Sequence, residues 1–131
     1  MIGLDTNVLV RYLVQDDPGQ TRQAVAAIDG AAGRGERLHL AAATLCELVW
    51  VLESSYDEPR ARVAATLDHI LRTVDFELEH RDLVRHAADT YRETPVDFAD
   101  ALVANVNHVA GCDYTLTFDK SLRRLAHVKT M

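Results

Sequence analysis

Short β-rich runs alternate with helical segments along the whole chain, and this alternation is the feature that most constrains its fold. Strand-like runs occur at residues 1–4, 37–41, 74–78 and 114–118, with a final edge strand expected at 127–130. Apolar residues at helical spacing fill the segments between the first four runs, and in one helix, beginning near Pro59, they predict a buried face of Val63, Leu67, Ile70 and Leu71. Strands separated by helices pair in parallel. The pattern therefore predicts an α/β fold, a three-layer α/β/α sandwich with a central, mostly parallel sheet.

Local signals place several helix starts. Asp17 followed by Pro18 predicts a helix cap and a first helical residue, with the helix running from about residue 19 to residue 32. Thr44 is expected to open the next helix, with Glu47 completing a capping box. These signals also supply a structural interpretation for some of the acidic residues considered below.

Length and composition indicate one compact domain, residues 1–131. The chain has 48% apolar and 26% charged residues, which excludes a disordered polypeptide. We expect a cytoplasmic protein with no membrane partner, because no signal peptide and no apolar run of membrane-spanning length occurs. Cys46 and Cys112 are accordingly interpreted as reduced thiols.

Carboxylates recur where the predicted strands end. Asp5 ends the first strand, Glu47 follows the second, and Asp119 directly follows the strand at 114–118. Asp97 and Asp100 begin the helix that leads into that strand. The carboxyl ends of parallel strands meet at one edge of a sheet, where open α/β folds bind their ligands. We therefore expect these acids to converge.

Converging carboxylates require protons or a cation to offset their charge. Mg²⁺ and Mn²⁺ prefer oxygen ligands, and carboxylate-bound Mg²⁺ commonly serves phosphoryl chemistry. The net charge of the chain is −6, so binding of a polyanion by bulk charge is disfavoured. A bound metal ion would supply the positive charge locally.

Each acid also has a structural interpretation. Asp97 fits a helix cap better than a metal ligand when taken alone, whereas Glu47 and Asp119 fit either role equally. Asp5 favours function, because an ionised group that closes a central, buried strand is costly unless it is paired or metal-bound.

Four segments, in this order, resemble PIN-domain ribonucleases, and more narrowly the VapC-type toxins of type II toxin–antitoxin pairs. They are LDTNVLVRYL, CELVWVL, DFADALVA and TFDKSLRRL, and the resemblance extends from Met1 to about Leu125. It implies an α/β/α sandwich and Mg²⁺- or Mn²⁺-dependent hydrolysis of RNA phosphodiester bonds. It also implies a homodimer and a co-encoded antitoxin that blocks the site and forms a larger complex with the protein.

The resemblance assigns roles to individual residues. The catalytic and metal-binding acids are Asp5, Glu47, Asp100 and Asp119, with Asp97 as an auxiliary acid. The small polar residues that orient them are Thr6, Asn7 and Thr117. In this scheme Glu47 binds or deprotonates the water that attacks phosphorus in line, leaving a 5′-phosphate end. Independently of the resemblance, the basic residues Lys120, Arg123 and Arg124 flank Asp119; a solvated helix face accounts for them best, and contact with phosphates is the alternative.

Three other classes are weighed against a nuclease. A phosphotransferase of the haloacid-dehalogenase type needs an acid two residues after Asp5, where this chain has Asn7. A phosphoaspartyl receiver needs an aspartate at the end of its third strand, where this chain has Leu78 and Glu79. A catalytically inactive interaction module, whose acids are only caps, stays open. Histidine spacing for zinc, a nucleophile elbow and a phosphate-binding glycine loop are absent.

Overall fold

A computed structural model describes all 131 residues of the chain, and its strands and helices alternate as predicted. The elements are β1 (Ile2–Gly3), α1 (Thr6–Val14), α2 (Pro18–Gly33), β2 (Leu38–Leu40), α3 (Ala42–Ser54), α4 (Arg60–Arg72), β3 (Phe76–Leu78), α5 (Arg81–Glu93), α6 (Phe98–Val109), β4 (Thr115–Thr117), a 3₁₀ helix (Lys120–Arg124) and β5 (Val128–Thr130). The predicted α/β class, with parallel strands between helices in an α/β/α arrangement, is confirmed.

The strands form two parallel ladders. The first has the order β1-β2-β3, and Leu38 of β2 stands opposite Ile2 on one side and Phe76 on the other. The second pairs β4 with β5, with Thr115 opposite Val128. All five strands are parallel to their partners, so within each ladder the carboxyl ends lie at the same edge.

The first strand is short, exposed and at an edge. The expectation that it is central and buried is wrong, because only Ile2 and Gly3 pair and both are exposed. The central strand of the ladder is β2, in which Leu38 and Leu40 are buried. The strand stops early because Asp5 already caps the helix that follows. The argument that burial makes Asp5 functional therefore fails, and its role must be judged on other grounds.

Apolar residues collect in one core of 26 buried residues. The four residues that helical spacing assigned to the buried face of α4 are all in it: Val63, Leu67, Ile70 and Leu71. Tyr91, Phe76 and Phe98 are the largest fully buried side chains. Full burial of a large apolar side chain contributes about 1.5–3 kcal/mol, so this cluster holds the helices against the strands. No helix combines the length and the apolar composition needed to cross a membrane.

Helix starts follow the sequence signals in one case and depart from them in another. Asp17 caps α2 by accepting a hydrogen bond from the Gln20 backbone N–H at 2.9 Å, with Pro18 at the first helical position, as predicted. In contrast, α3 begins at Ala42, two residues before Thr44.

The predicted capping box of α3 is therefore wrong. Thr44 is buried inside the first turn, and the residue at the cap position, Ala41, has no side chain that can bond to the helix. Glu47 lies beyond the first turn and is exposed, so it caps nothing. Its structural interpretation is thereby removed.

Candidate functional site

The elements that carry the predicted acids are neighbours in the fold. Helix α1 packs against α3, α3 packs against α6, and α6 packs against β4. Asp5 immediately precedes α1, Glu47 lies in α3, Asp97 and Asp100 stand at the start of α6, and Asp119 follows β4 by two residues. The acids are thus distributed over one contiguous set of elements.

Asp100 is the predicted acid whose carboxyl group is most affected by the other acids. It is half-buried in the first turn of α6. Burial, and then the charges of Asp97 and Asp119, raise the pKa of Asp100 above its ordinary value. Charges act this strongly on one another only at short range. The charges of Asp97, three residues before Asp100, and of Asp119, 19 residues after it, thus act on one carboxyl group, without a cation to offset them.

Asp97 occupies the cap position of α6 but does not cap it. Its backbone has the extended conformation of a cap residue, yet its side chain accepts no hydrogen bond from the helix. The same carboxylate contributes, after burial, to raising the pKa of Cys46 and of Glu53. The cap interpretation thus holds for the position of Asp97 and not for its side chain, whose oxygens are free for a ligand.

This difference between two cap positions is testable. Asp17→Ala is expected to lower the free energy of unfolding by about 1 kcal/mol, because it removes a formed cap. Asp97→Ala is expected to leave it unchanged or raise it slightly, because no cap is lost and repulsion with Asp100 is relieved. Urea denaturation of both variants in EDTA measures the contrast. An equal loss in the two variants would show that Asp97 caps α6 in solution.

Asp119 has a structural role as well. Its Oδ1 accepts hydrogen bonds from the Ser121 backbone N–H at 2.9 Å and from the Ser121 hydroxyl at 2.6 Å, and it so caps the 3₁₀ helix. These bonds lower the pKa of Asp119 and favour its ionised form. The Thr117 hydroxyl accepts from the Asp119 backbone N–H at 3.0 Å. Thr117 thus helps to orient Asp119, and the other carboxylate oxygen has no hydrogen-bond partner in the protein.

No hydrogen bond or ion pair links Asp5 or Glu47 to Asp97, Asp100 or Asp119. Asp5 is exposed, and its Oδ1 accepts from the Thr6 backbone N–H at 2.8 Å. Glu47 is exposed and makes no hydrogen bond or ion pair. The Thr6 hydroxyl is buried without a partner, which costs about 1–3 kcal/mol, whereas Asn7 is exposed. An unpaired hydroxyl beside Asp5 leaves a polar group available at the end of β1.

The donor set fits a hydrated Mg²⁺ or Mn²⁺ ion. No three His, Cys, Asp or Glu side chains stand close enough to form a ready-made metal cage. Mg²⁺ does not need one, since proteins usually bind it through one or two carboxylates, several waters and substrate phosphates. The acids around Asp100 offer only oxygen donors and carry uncompensated charge, which suits such an ion and not zinc.

Two features of the site are not predicted from the sequence. The Arg60 Nη2 atom donates to the backbone oxygens of Tyr91, Thr94 and Val96 at 2.7, 2.8 and 2.8 Å, and its guanidinium lies 3.8 Å from the centre of the Tyr91 ring. This clamp fixes the segment that leads directly into Asp97. The backbone oxygens that Arg60 binds belong to residues more than 30 positions away in the sequence, so no local motif predicts these contacts.

The second is a further acid, Glu53. It is half-buried in the last turn of α3, and burial and the charge of Asp97 raise the pKa of Glu53. Burial and Glu53 in turn raise the pKa of Tyr91 to about 12. The only indication of this role in the sequence is that Glu53 is an acid next to an apolar stretch of α3.

The predicted basic residues lie beside the acids without neutralising them. Lys120, Arg123 and Arg124 belong to the 3₁₀ helix that Asp119 caps, and all three are exposed. None of them takes part in an ion pair. Their charges are therefore free for an anionic ligand.

Comparison with known proteins gives one match. A family model described as PIN domain matches residues 2–128, nearly the whole chain. No curated protein and no solved structure matches this chain.

Proposed function

The chain belongs to the PIN domain family, and we propose that it is a metal-dependent endoribonuclease, a VapC-type toxin inhibited by a cognate antitoxin. PIN domains are typically nucleases that bind nucleic acid and generally use divalent metal ions. The observation that supports the proposal is that Asp97 and Asp119 both act on the half-buried carboxyl group of Asp100, with no cation to offset their charge. In this proposal residues 1–131 form a single nuclease domain.

Asp5, Asp100 and Asp119 would hold Mg²⁺ or Mn²⁺, with Asp97 as an auxiliary ligand. A bound ion would neutralise phosphate charge and make water more acidic. Glu47, exposed and without a partner, would accept the proton of the water that attacks phosphorus. The bond from phosphorus to the 3′ oxygen would then break and that oxygen would take a proton from solvent water, leaving a 5′-phosphate and a 3′-hydroxyl end.

The remaining polar residues would position these groups and the RNA. The structure shows Thr117 bonded to the Asp119 backbone, and Thr6 and Asn7 follow Asp5 directly. We assign all three to orienting the acids. The free cations that follow Asp119 would contact phosphates next to the cleaved bond: Lys120, Arg123 and Arg124.

The proposed partners follow from the same charge distribution. An antitoxin that blocks the site is expected to insert a basic residue among the acids around Asp100, because that region lacks a cation of its own. The family resemblance adds a homodimer, within a larger complex when the antitoxin is bound, in the cytoplasm. A structure of the complex that leaves the acids facing solvent would contradict the antitoxin part of this proposal.

Metal binding distinguishes the nuclease from an inactive interaction module. Mn²⁺ at 100 times its dissociation constant is expected to stabilise the wild type by about 2.7 kcal/mol through mass action, which raises the melting temperature. Asp5→Asn should reduce this shift, whereas Asp29→Asn, on the exposed face of α2, should not. Thermal melts with increasing Mn²⁺ and Mg²⁺, followed by RNA cleavage assays, test this.

Two outcomes would contradict the proposal. An unchanged melting temperature would return the acids to capping and surface charge, as in an interaction module. Labelling of the protein by acetyl phosphate would instead indicate a phosphoaspartyl receiver, which also binds a divalent ion.

A further inference from the structure

A second charged region lies along the outer edge of β3. There the end of α4, β3 and the start of α5 enclose a cleft of about 470 Å³. Four of the chain's arginines line it, namely Arg37, Arg72, Arg81 and Arg85. Because β3 pairs only with β2, this edge of the ladder is open.

The arginines of the cleft carry more positive charge than the acidic residues in its lining neutralise. Arg37 is paired with Glu77 at 2.7 Å, and Glu77 is the only acid in the lining. Arg81 donates to the backbone oxygen of Leu71. Arg72 and Arg85 are exposed and have no acidic partner. Four guanidinium groups thus face one carboxylate, in a chain whose net charge is −6.

Several guanidinium groups around one cleft suit a ligand with repeated phosphates. The planar guanidinium group of arginine can donate two parallel hydrogen bonds to one phosphate. Because this group is weakly hydrated, removing its water on binding costs little free energy. The acids around Asp100 repel such a ligand, so an RNA-binding chain of negative net charge needs positive contacts elsewhere.

We infer that this arginine cleft binds the phosphodiester backbone of the RNA substrate, outside the bond that is cleaved. The inference rests on the proposed function. The proposed surface lies at the β3 edge of the first ladder. β1 lies at the other edge, about 10 Å away across two strand spacings.

Binding of a labelled single-stranded oligouridylate, measured by fluorescence anisotropy in EDTA, tests the cleft apart from catalysis. Arg72→Gln with Arg85→Gln is expected to weaken binding about tenfold at low salt. It should also reduce the slope of log affinity against log salt by about 1.4, since each phosphate contact on a single strand contributes about 0.7. The matched control is Arg22→Gln with Arg62→Gln, which removes the same charge from exposed arginines without ion pairs outside the cleft.

Three results would overturn the inference. Equal losses in both double variants would show that only net charge matters. An unchanged slope in the cleft variant would show that Arg72 and Arg85 contact no phosphate. Tighter cleft-dependent binding of polyglutamate than of oligouridylate would assign the cleft to an acidic protein segment. Failure of the proposed nuclease is a separate result, in which RNA binds through the cleft but is not cleaved when Mn²⁺ is added.

Discussion

Replacing Asp100 with asparagine is expected to reduce the rate of RNA cleavage by about 100-fold or more and, in the same protein, to raise its stability at neutral pH. In the proposed mechanism, the loss of rate follows because Asp100 would be a charged metal ligand at the reacting phosphate. The gain in stability follows because burial, Asp97 and Asp119 disfavour the ionised form of Asp100 in the folded state. Loss of activity through misfolding could not produce this combination.

The sign of the pH dependence provides a second check. The pKa of Asp100 is raised in the folded protein, so the folded state holds this proton more tightly than the unfolded state. Ionised Asp100 therefore destabilises the wild type above its folded pKa, and that penalty disappears as the pH falls below its unfolded pKa. The stability gained by Asp100→Asn should accordingly be present at neutral pH and absent at acidic pH.

Urea denaturation in EDTA at several pH values, beside single-turnover cleavage with Mn²⁺, measures both effects. Asp29→Asn, an exposed acid on α2, serves as the control and should change neither. Wild-type cleavage by Asp100→Asn protein would remove Asp100 from the catalytic set. A loss of stability at neutral pH would show that its charge is offset in solution by a group that the structure does not place there.

The parts of this fold that the sequence predicts best are those set by local chemistry. Helical spacing identified the buried face of α4, and the pair Asp17-Pro18 identified the start of α2. The sequence predicts where the strands lie, but it does not predict which strands pair with each other. Alternation cannot say which strand takes the centre, and β1 lies exposed at an edge because Asp5 starts a helix two residues after Gly3.

The site divides in the same way. Strand ends and helix starts predict that five acids meet at one edge, because topology determines which ends of parallel elements are neighbours. Of these, Asp97 and Asp119 act on Asp100. Whether a carboxylate is free depends on partners one or two residues away. Asp119 is bonded to Ser121, whereas Asp97, at an equally good cap position, bonds to nothing in its helix. Both interpretations were open in the sequence, and only the geometry separates them.

Arg60 shows what the sequence does not predict, and it supplies the second large effect. Arg60→Ala is expected to lower the free energy of unfolding by about 3 kcal/mol, since it leaves three backbone oxygens without a charged donor and uncovers the ring of Tyr91. Arg60→Lys should lose less, because an ammonium group keeps the charge but cannot reproduce the planar contact. Arg92→Ala is the control: that arginine pairs with Asp68 and Asp89 on the surface and should cost under about 1 kcal/mol.

Stability alone would not separate a structural clamp from one that positions the acids. The oxygens that Arg60 binds belong partly to residues 94–96, immediately before Asp97 and the first turn of α6. A loosened segment would hold a metal ligand less well. The melting shift produced by Mn²⁺ should therefore fall in Arg60→Ala, recover at least partly in Arg60→Lys, and stay at the wild-type value in Arg92→Ala. A full Mn²⁺ shift in a destabilised Arg60→Ala protein would limit the clamp to folding, because the acids would then be placed without it.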